Sequence, residues 1–286
     1  MSFSITEAFV QQYRDNVLIL AQQKGSVLRN AVTVESGVVG KRTSFDRIGS
    51  TTPQKRTSRH ADTPLVSTPH SRRWANLDDY DWADLVDKLD KMKMLISPES
   101  DYALNAGYAF GRTMDDIIIS ALRGTAVTGE VADGTQVLPA GQKVAVGGTG
   151  LTIAKLRSAK LILDKNNIVS EDRFFVVNGE SLSDLLATTE VTSSDFNTIR
   201  ALVNGELDTF LGFKFLRTEQ LPIITGTDRA NLAFQKRALG LAMGEDITTR
   251  MSERDDKNYA LQVYMCMSLG AVRVEDEAVV EVAVLE

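Results

Sequence analysis

The chain has 286 residues, of which 43% are hydrophobic and 24% charged, with a formal net charge of −6. That leaves room for one large domain or two modest ones in an ordinary soluble composition, and its acidic balance argues against a simple nucleic-acid binder. The single cysteine, Cys266, excludes an intrachain disulfide; no apolar run reaches bilayer length, and Met1-Ser2-Phe3-Ser4 lacks the basic and apolar regions of a secretory signal.

Ser4–Ala21 reads as an amphipathic helix. Ser4 and Glu7 have capping-box spacing, and Val10, Tyr13, Val17 and Leu20 recur at helical intervals opposite Gln11, Arg14, Asp15 and Gln22. One stripe of this kind needs a surface to cover it, either in its own domain or outside. Residues 31–50 are β-branched and extended, and Leu65–Thr68 resumes that pattern. Between and around them lies the most unusual tract of the chain. Lys41 to Arg73 carries eight basic residues (Lys41, Arg42, Arg47, Lys55, Arg56, Arg59, Arg72, Arg73) against Asp46 and Asp62, with three of the six prolines and both histidines. This segment is +6, so the remainder is −12. It holds too few large apolar groups to order itself. Two strands with a basic tip make a long hairpin, which is not stable alone in water. Such an insertion reaches for a nucleic acid, an acidic surface or another copy of the chain.

Asp79–Ile96 is predicted as a second helix, because Trp82, Leu85, Leu89, Met92 and Ile96 step by three and four. Ser97-Pro98 then sets a cap residue before a first-turn proline. The helix so begun runs to Leu122, about 37 Å at 1.5 Å per residue, with Ala103, Gly107, Phe110, Met114, Ile117 and Ala121 as its apolar stripe and Gly124 as its stop. Thr125–Gly150 is rich in Gly, Thr and Val. Leu151–Lys165 is helical, Arg173–Val177 a short buried strand, and Ser181–Ala187 and Asp195–Val203 short helices. Phe210–Arg217 is a strand, residues 231–250 mix a strand with a helical turn, and Tyr259–Val274 and Val279–Leu285 are strands. Short helices and antiparallel strands without βαβ order argue an α+β fold.

Catalytic constellations are missing. His60 and His70 both fall in the basic tract, where nothing holds them rigidly enough for a triad or a metal. No cysteine pair offers a zinc site. Gly147-Gly148-Thr149-Gly150 precedes a helix but has neither the Lys-Ser/Thr ending of a P-loop nor the third glycine of a dinucleotide fingerprint. Asp164-Lys165-Asn166-Asn167 starts like a calcium loop, yet Val169 stands where glycine is required. Glu245-Asp246 and Glu275-Asp276-Glu277 read as solvated turns, and Cys266 as a buried, inert thiol. The expectation is therefore no catalytic residue, no metal and no cofactor. For the basic tract, only Phe45 interleaves with the charges before Trp74, which is poor support for base stacking. A solvated loop is the plain reading. A contact arm that meets the acidic body of a neighbouring copy fits the charge split better.

The order of these parts resembles tailed-bacteriophage major capsid proteins, the Hong Kong 97-type fold. The residues that carry the resemblance are Leu151–Arg157 leading through Ile162-Leu163-Asp164 to Asp172–Val177, and Ala238–Ala242, Asp246–Arg250 and Lys257 onward to Ser268–Arg273. The resemblance implies an N-terminal arm over residues 1–37, an extended loop over 38–76, a peripheral domain from 77–130 and 258–286 with Pro98–Leu122 as spine helix, and an axial domain over 131–257. It implies a structural shell protein, not an enzyme, with Arg47, Lys55, Arg56 and Arg59 as intersubunit contacts and Phe110, Met114 and Ile117 packing the spine helix. Its implied partners are copies of itself in hexamers and pentamers, a portal, packaged double-stranded DNA and no membrane. The chain lacks a long helical region before the arm, so a separate scaffolding protein is expected. The place would be the virion, and the host cytoplasm during assembly. An encapsulin-like compartment shell is the alternative within this fold, and an enzyme with a basic substrate-binding loop the alternative outside it.

Overall fold

The computed structural model describes residues 23–60, 62–86, 99–187 and 209–286. The predicted helices at Ser4–Ala21 and Asp195–Val203 lie outside these residues, as does the Ser97-Pro98 start of the long helix. Among the described residues, three helices stand beside three sheets, an α+β arrangement.

The long helix α1 (Glu99–Arg123) has 25 residues. Phe110, Met114, Ile118, Ile119 and Leu122 are buried on it, each contributing roughly 1.5–3 kcal/mol by removal from water. Ile117 and Ala121, expected in the stripe, are half-buried at its edge. The stripe is therefore rotated towards Ile118, because α1 is covered on more than one side. It rests on the first sheet, whose strands run in the order β1 (Thr33–Ser36), β13 (Leu239–Arg254), β14 (Ala260–Arg273) and β4 (Asp78–Val86). Leu241, Met243, Met265, Met267 and Leu269 of that sheet share the core with α1.

β4 overturns the helix predicted from Asp79; residues beyond Val86 up to Ile96 lie outside the described set. Trp82 and Leu85 fit helical spacing, but burial here alternates with period two: Tyr80, Trp82 and Val86 turn inward, while Asp79, Asp81 and Leu85 are exposed. β14 supplies a strand edge that pairs antiparallel from Leu261 opposite Val86 to Leu269 opposite Asp78. Nine residues of ladder outweigh a short local pattern. The alternation of β14 also turns Cys266 away from the core, so it is half-buried, with Sγ 3.1 Å from Thr248 Oγ1.

The second sheet contains β7 (Lys143–Val144), β15 (Val279–Leu285), β12 (Asp228–Gln235), β8 (Arg173–Val177), β10 (Phe213–Arg217) and β9 (Thr209–Phe210) in that order, with β11 (Ile223–Thr225) beside β12. β8 is buried throughout. Phe174 and Val176 join the α1 core, while Phe175 and Val177 face α2 (Ile153–Lys165) and α3 (Gly179–Ala187). That two-sided burial is why Arg173–Val177 reads as a continuous apolar run. The single strand predicted over Phe210–Arg217 is a hairpin instead. Leu211 and Gly212 both take positive φ, 52° and 85°, the pattern of a tight two-residue turn. α2 starts at Thr152, whose side chain accepts from the Lys155 amide. The glycine-rich loop before it is stitched to β15, because Lys155 Nζ donates to the carbonyls of Thr149 (2.6 Å) and Ala283 (3.0 Å). Asp164, first of the calcium-like run, pairs with Arg173 at 2.6 Å.

The third sheet is β2 (Arg42–Ile48), β3 (His70–Asn76), β5 (Ala126–Thr128) and β6 (Gly134–Gln136). It carries the hairpin.

Candidate assembly surface

The hairpin divides into a docked root and a projecting tip. β2 and β3 pair from Arg42 opposite Asn76 to Ile48 opposite His70, and the Gly49 amide donates to the Pro69 carbonyl at 2.8 Å. Beyond that bond, every described residue from Ser50 to Pro69 is exposed. Lys55, Arg56 and Arg59 all lie here. Arg56 Nε donates to the Ser58 carbonyl, and among the described residues no ion pair involves any of the three. His60 sits in the same tip with a positive φ of 61°. An apolar side chain is exposed with them, Leu65 at 96%, and Ile48 at the end of β2 is 70% accessible.

The root is held by charge and by close packing. Asp46 and Arg72 stand opposite each other and pair at 2.5 and 3.1 Å; the Arg72 hydrogen bond holds the Asp46 carboxyl below its ordinary range. Arg42 and Arg72 lie over the Trp74 ring, 4.7 and 5.6 Å from its centre, and Trp74 Nε1 donates to the Gly129 carbonyl. Where the root meets the first sheet, a Cβ on Gly270 would lie 1.7 Å from the Asn76 carbonyl oxygen, so only glycine admits this approach. Arg47, grouped with the tip residues from sequence, belongs to the root: it is half-buried and its Nη1 donates to the Val274 carbonyl at 3.1 Å.

Below the root lies a buried ion cluster. Arg73 Nη2 donates to one oxygen of Asp276 at 2.5 Å and Arg273 Nε to the other at 2.6 Å. Arg273 is fully buried. Its remaining nitrogens donate to the carbonyls of Leu122, Gly124 and Gln136 at 3.0, 2.6 and 2.9 Å. A cation is thus set on the orphan carbonyls at the C-terminus of α1, where the helix dipole favours it. One carboxylate and two guanidiniums tie the hairpin, α1 and β14 together. The predicted solvated turn at Glu275-Asp276-Glu277 is therefore wrong for Asp276, whose side chain is 12% exposed.

A second anchor holds the segment that precedes β1. Asp115, fully buried on α1, accepts from Ser26 Oγ and Gln23 Nε2 at 2.5 Å and from the amides of Val27 and Leu28 at 3.0 Å. One turn earlier, a Cβ on Gly111 would meet the Gly25 backbone at 2.3 Å. Further along, Arg29 pairs with Asp246 at 2.7 Å, which lowers the Asp246 pKa. Sequence reasoning passed over Asp115 and Arg273 as anchors and read Asp276 as part of a solvated turn. The available signals were an acid inside the apolar phase of α1 and an arginine inside the apolar run Ala271-Val272-Arg273.

Of the expected spine residues, Phe110 and Met114 are buried and Ile117 is half-buried. Among the described residues, no three His, Cys, Asp or Glu side chains group as metal ligands do, and no helix is long and apolar enough to cross a membrane.

This architecture is shared with solved capsids. The capsid structure of cyanophage P-SCSP1u matches with a TM-score of 0.75 at 20% identity, covering 98% of this chain and 94% of that one. A Mycobacterium phage Che8 structure matches at 0.70 and 18% identity, covering 96% and 97%. The capsid of Ralstonia phage GP4 matches at 0.72 and 10% identity, covering 100% and 98%. No curated protein matches the sequence. A family model described as phage capsid protein matches residues 5–286. The chain therefore belongs to the phage capsid protein family and is a major capsid protein, the shell subunit of a bacteriophage virion.

Proposed function

We propose that the chain assembles through hexamers and pentamers into the icosahedral head of a tailed phage around double-stranded DNA, and that it acts by geometry and performs no chemistry. Residues 1–37 serve as an arm and 38–76 as an extended loop. Residues 77–130 and 258–286 form a peripheral unit, although β15 pairs into the second sheet, and 131–257 form an axial unit. A separate scaffolding protein and a portal are its partners, and assembly takes place in the host cytoplasm. The observation that carries this reading is the hairpin: a rigid, charge-locked root projects a tip whose Lys55, Arg56 and Arg59 have no carboxylate partner of their own among the described residues, in a chain that is −12 elsewhere. A folded protein holds out such a tip when a neighbour supplies what its own core does not.

The test is assembly of the purified protein, followed by light scattering and negative-stain microscopy, with nuclease and absorbance measurements on any particle. Capsomer-sized oligomers or shells are expected, and DNA inside particles recovered from infected cells. A strict monomer at every concentration and ionic strength, with or without scaffolding protein, overturns the reading. Particles filled with protein cargo instead of DNA point to an encapsulin-like compartment, which no feature of this chain favours.

A further inference from the structure

A groove of about 490 Å³ runs between α1 and the hairpin root. Asp116 of α1 lines it with Trp74 of β3, Asp78 and Tyr80 of β4, and Gly270 and Arg273 of β14. Both carboxylates are exposed, and among the described residues no ion pair takes up either one. Arg273 is no counter-ion for them, because its nitrogens donate to Asp276 and to the carbonyls of Leu122, Gly124 and Gln136. Burial and then the charge of Asp115 push the Asp116 pKa up, and Arg112 opposes them less strongly. Burial and then the charge of Asp78 push the Tyr80 hydroxyl up as well. The groove is therefore short of positive charge. Its aromatic rings suit a guanidinium or an ammonium ion: Arg42 and Arg72, neither of which lines the groove, already lie over Trp74, and Tyr80 offers a second ring.

We propose that this groove receives the hairpin tip of a second copy of the chain, with Asp78 and Asp116 accepting from Lys55, Arg56 and Arg59. The occupant rests on the shell reading. Two observations favour it over any other partner. The tip has cations without carboxylates and the groove has carboxylates without cations, so one chain carries both halves of a complementary contact. The tip also projects away from its own body: every described residue beyond the Gly49–Pro69 bond is exposed, and extended chain from Gly49 to Arg59 reaches up to about 33 Å at roughly 3.3 Å per residue. A donor surface and an acceptor surface at different places on one subunit make a head-to-tail contact, the kind that closes into rings.

The test is disulfide trapping in a Cys266→Ser background, which removes the native thiol. Protein carrying Asp116→Cys and Arg56→Cys is assembled, oxidised and run on a non-reducing gel beside each single variant. A ladder of covalent oligomers is expected from the double variant and not from the single ones. Shells that yield only monomer, or the same ladder from a single variant, overturn the docking. Charge exchange is a second readout that does not depend on one geometry. Asp78→Lys/Asp116→Lys should stay folded by circular dichroism and lose shell yield, and adding Lys55→Glu/Arg56→Glu/Arg59→Glu should restore it. A wild-type yield from Asp78→Lys/Asp116→Lys overturns the proposal, as does a combined variant that assembles no better than either parent. A protein that forms no shell at all fails the shell reading, and the docking is then decided on subunits in solution. Oxidising Asp116→Cys subunits together with Arg56→Cys subunits should give a mixed dimer in excess of what either gives alone, and the absence of that dimer overturns the docking too.

Discussion

The two ends of one hairpin use the same residue types in opposite ways. At the root, Arg72, Arg73 and Arg47 are engaged with Asp46, Asp276 and the Val274 carbonyl, and the strands carrying them sit against glycine on the first sheet. At the tip, Lys55, Arg56 and Arg59 are exposed and pair with no carboxylate among the described residues. The basic tract of the sequence is thus two tracts. One makes the subunit rigid, and the other is left for a partner. A composition of +6 over 33 residues does not separate them; the location of acids such as Asp276, some two hundred positions away in the chain, does.

This comparison breaks most readily at Asp276. Asp276→Ala should destabilise the subunit by about 3–5 kcal/mol, because it leaves two guanidiniums buried without their charge partner. Urea denaturation of the unassembled subunit measures it, and a loss under about 1 kcal/mol would mean that the root is solvated like the tip. On the helix whose C-terminus Arg273 caps, Phe110→Ala should cost about 3–5 kcal/mol. Ile117→Ala, at the half-buried edge, should cost about 1–2 kcal/mol in proportion to its smaller buried area. Equal costs would place both residues in the core interior. Asp115→Ala should follow at about 2–3 kcal/mol, since two amides and two side-chain donors lose one charged acceptor. Limited proteolysis should then cut faster between Gln23 and Val32, while sites in β13 and β14 stay protected.

How much of this was legible follows from the range of the interactions. α1, α2, β8 and the last two strands are written in local spacing and local caps, and their expected bounds lie within a few residues of those observed. β4 was misread because its identity rests on β14, about 180 residues later, and not on its own periodicity. The tip residues Lys55, Arg56 and Arg59 could be singled out because they are an excess of charge. The root cluster could not, because Arg73, Arg273 and Asp276 converge only once the third sheet is docked. Asp115 is the intermediate case. An acid in phase with Gly111 and Ile118 on α1 is visible in the sequence, but its acceptor role depends on a chain segment that arrives from elsewhere.

Asp115 and its neighbour Asp116 repeat the contrast on a smaller scale. Asp115 is enclosed by donors, whereas Asp116 is exposed beside the groove between α1 and the hairpin root. Burial, and then the charge of Asp115, pushes the Asp116 pKa up, against a smaller opposing effect of Arg112. A carboxyl whose folded pKa lies above its unfolded value of about 3.9 binds its proton more tightly when folded. Its ionised form therefore weakens the fold at neutral pH, and stability is recovered as pH falls through the folded pKa. Asp116→Asn should stabilise the subunit slightly at pH 7, by less than about 0.5 kcal/mol given its exposure. The advantage should shrink on acidification and vanish below about pH 4. Thermal melts of parent and variant across that range check the sign; an advantage that grows with acid would reverse it.

The smallest effect on the fold belongs to the tip, and that is the sharpest form of the comparison. Lys55→Glu/Arg56→Glu/Arg59→Glu changes six units of charge on residues that touch nothing charged in their own chain among the described residues. Surface changes of this kind usually stay within about 0.5 kcal/mol, so circular dichroism and the unfolding midpoint of the subunit should match the wild type. Assembly should not. Each exposed pair contributes only about 0.2–1 kcal/mol, but in a closed shell the contact recurs on every copy, and small unfavourable terms add across the lattice. Shell yield should therefore fall while the subunit stays folded. Wild-type assembly should weaken in the same direction as salt rises and the Debye length drops below about 10 Å. A triple variant that assembles normally but packages less DNA would turn the tip towards nucleic acid. One that loses subunit stability as Asp276→Ala does would erase the distinction between root and tip.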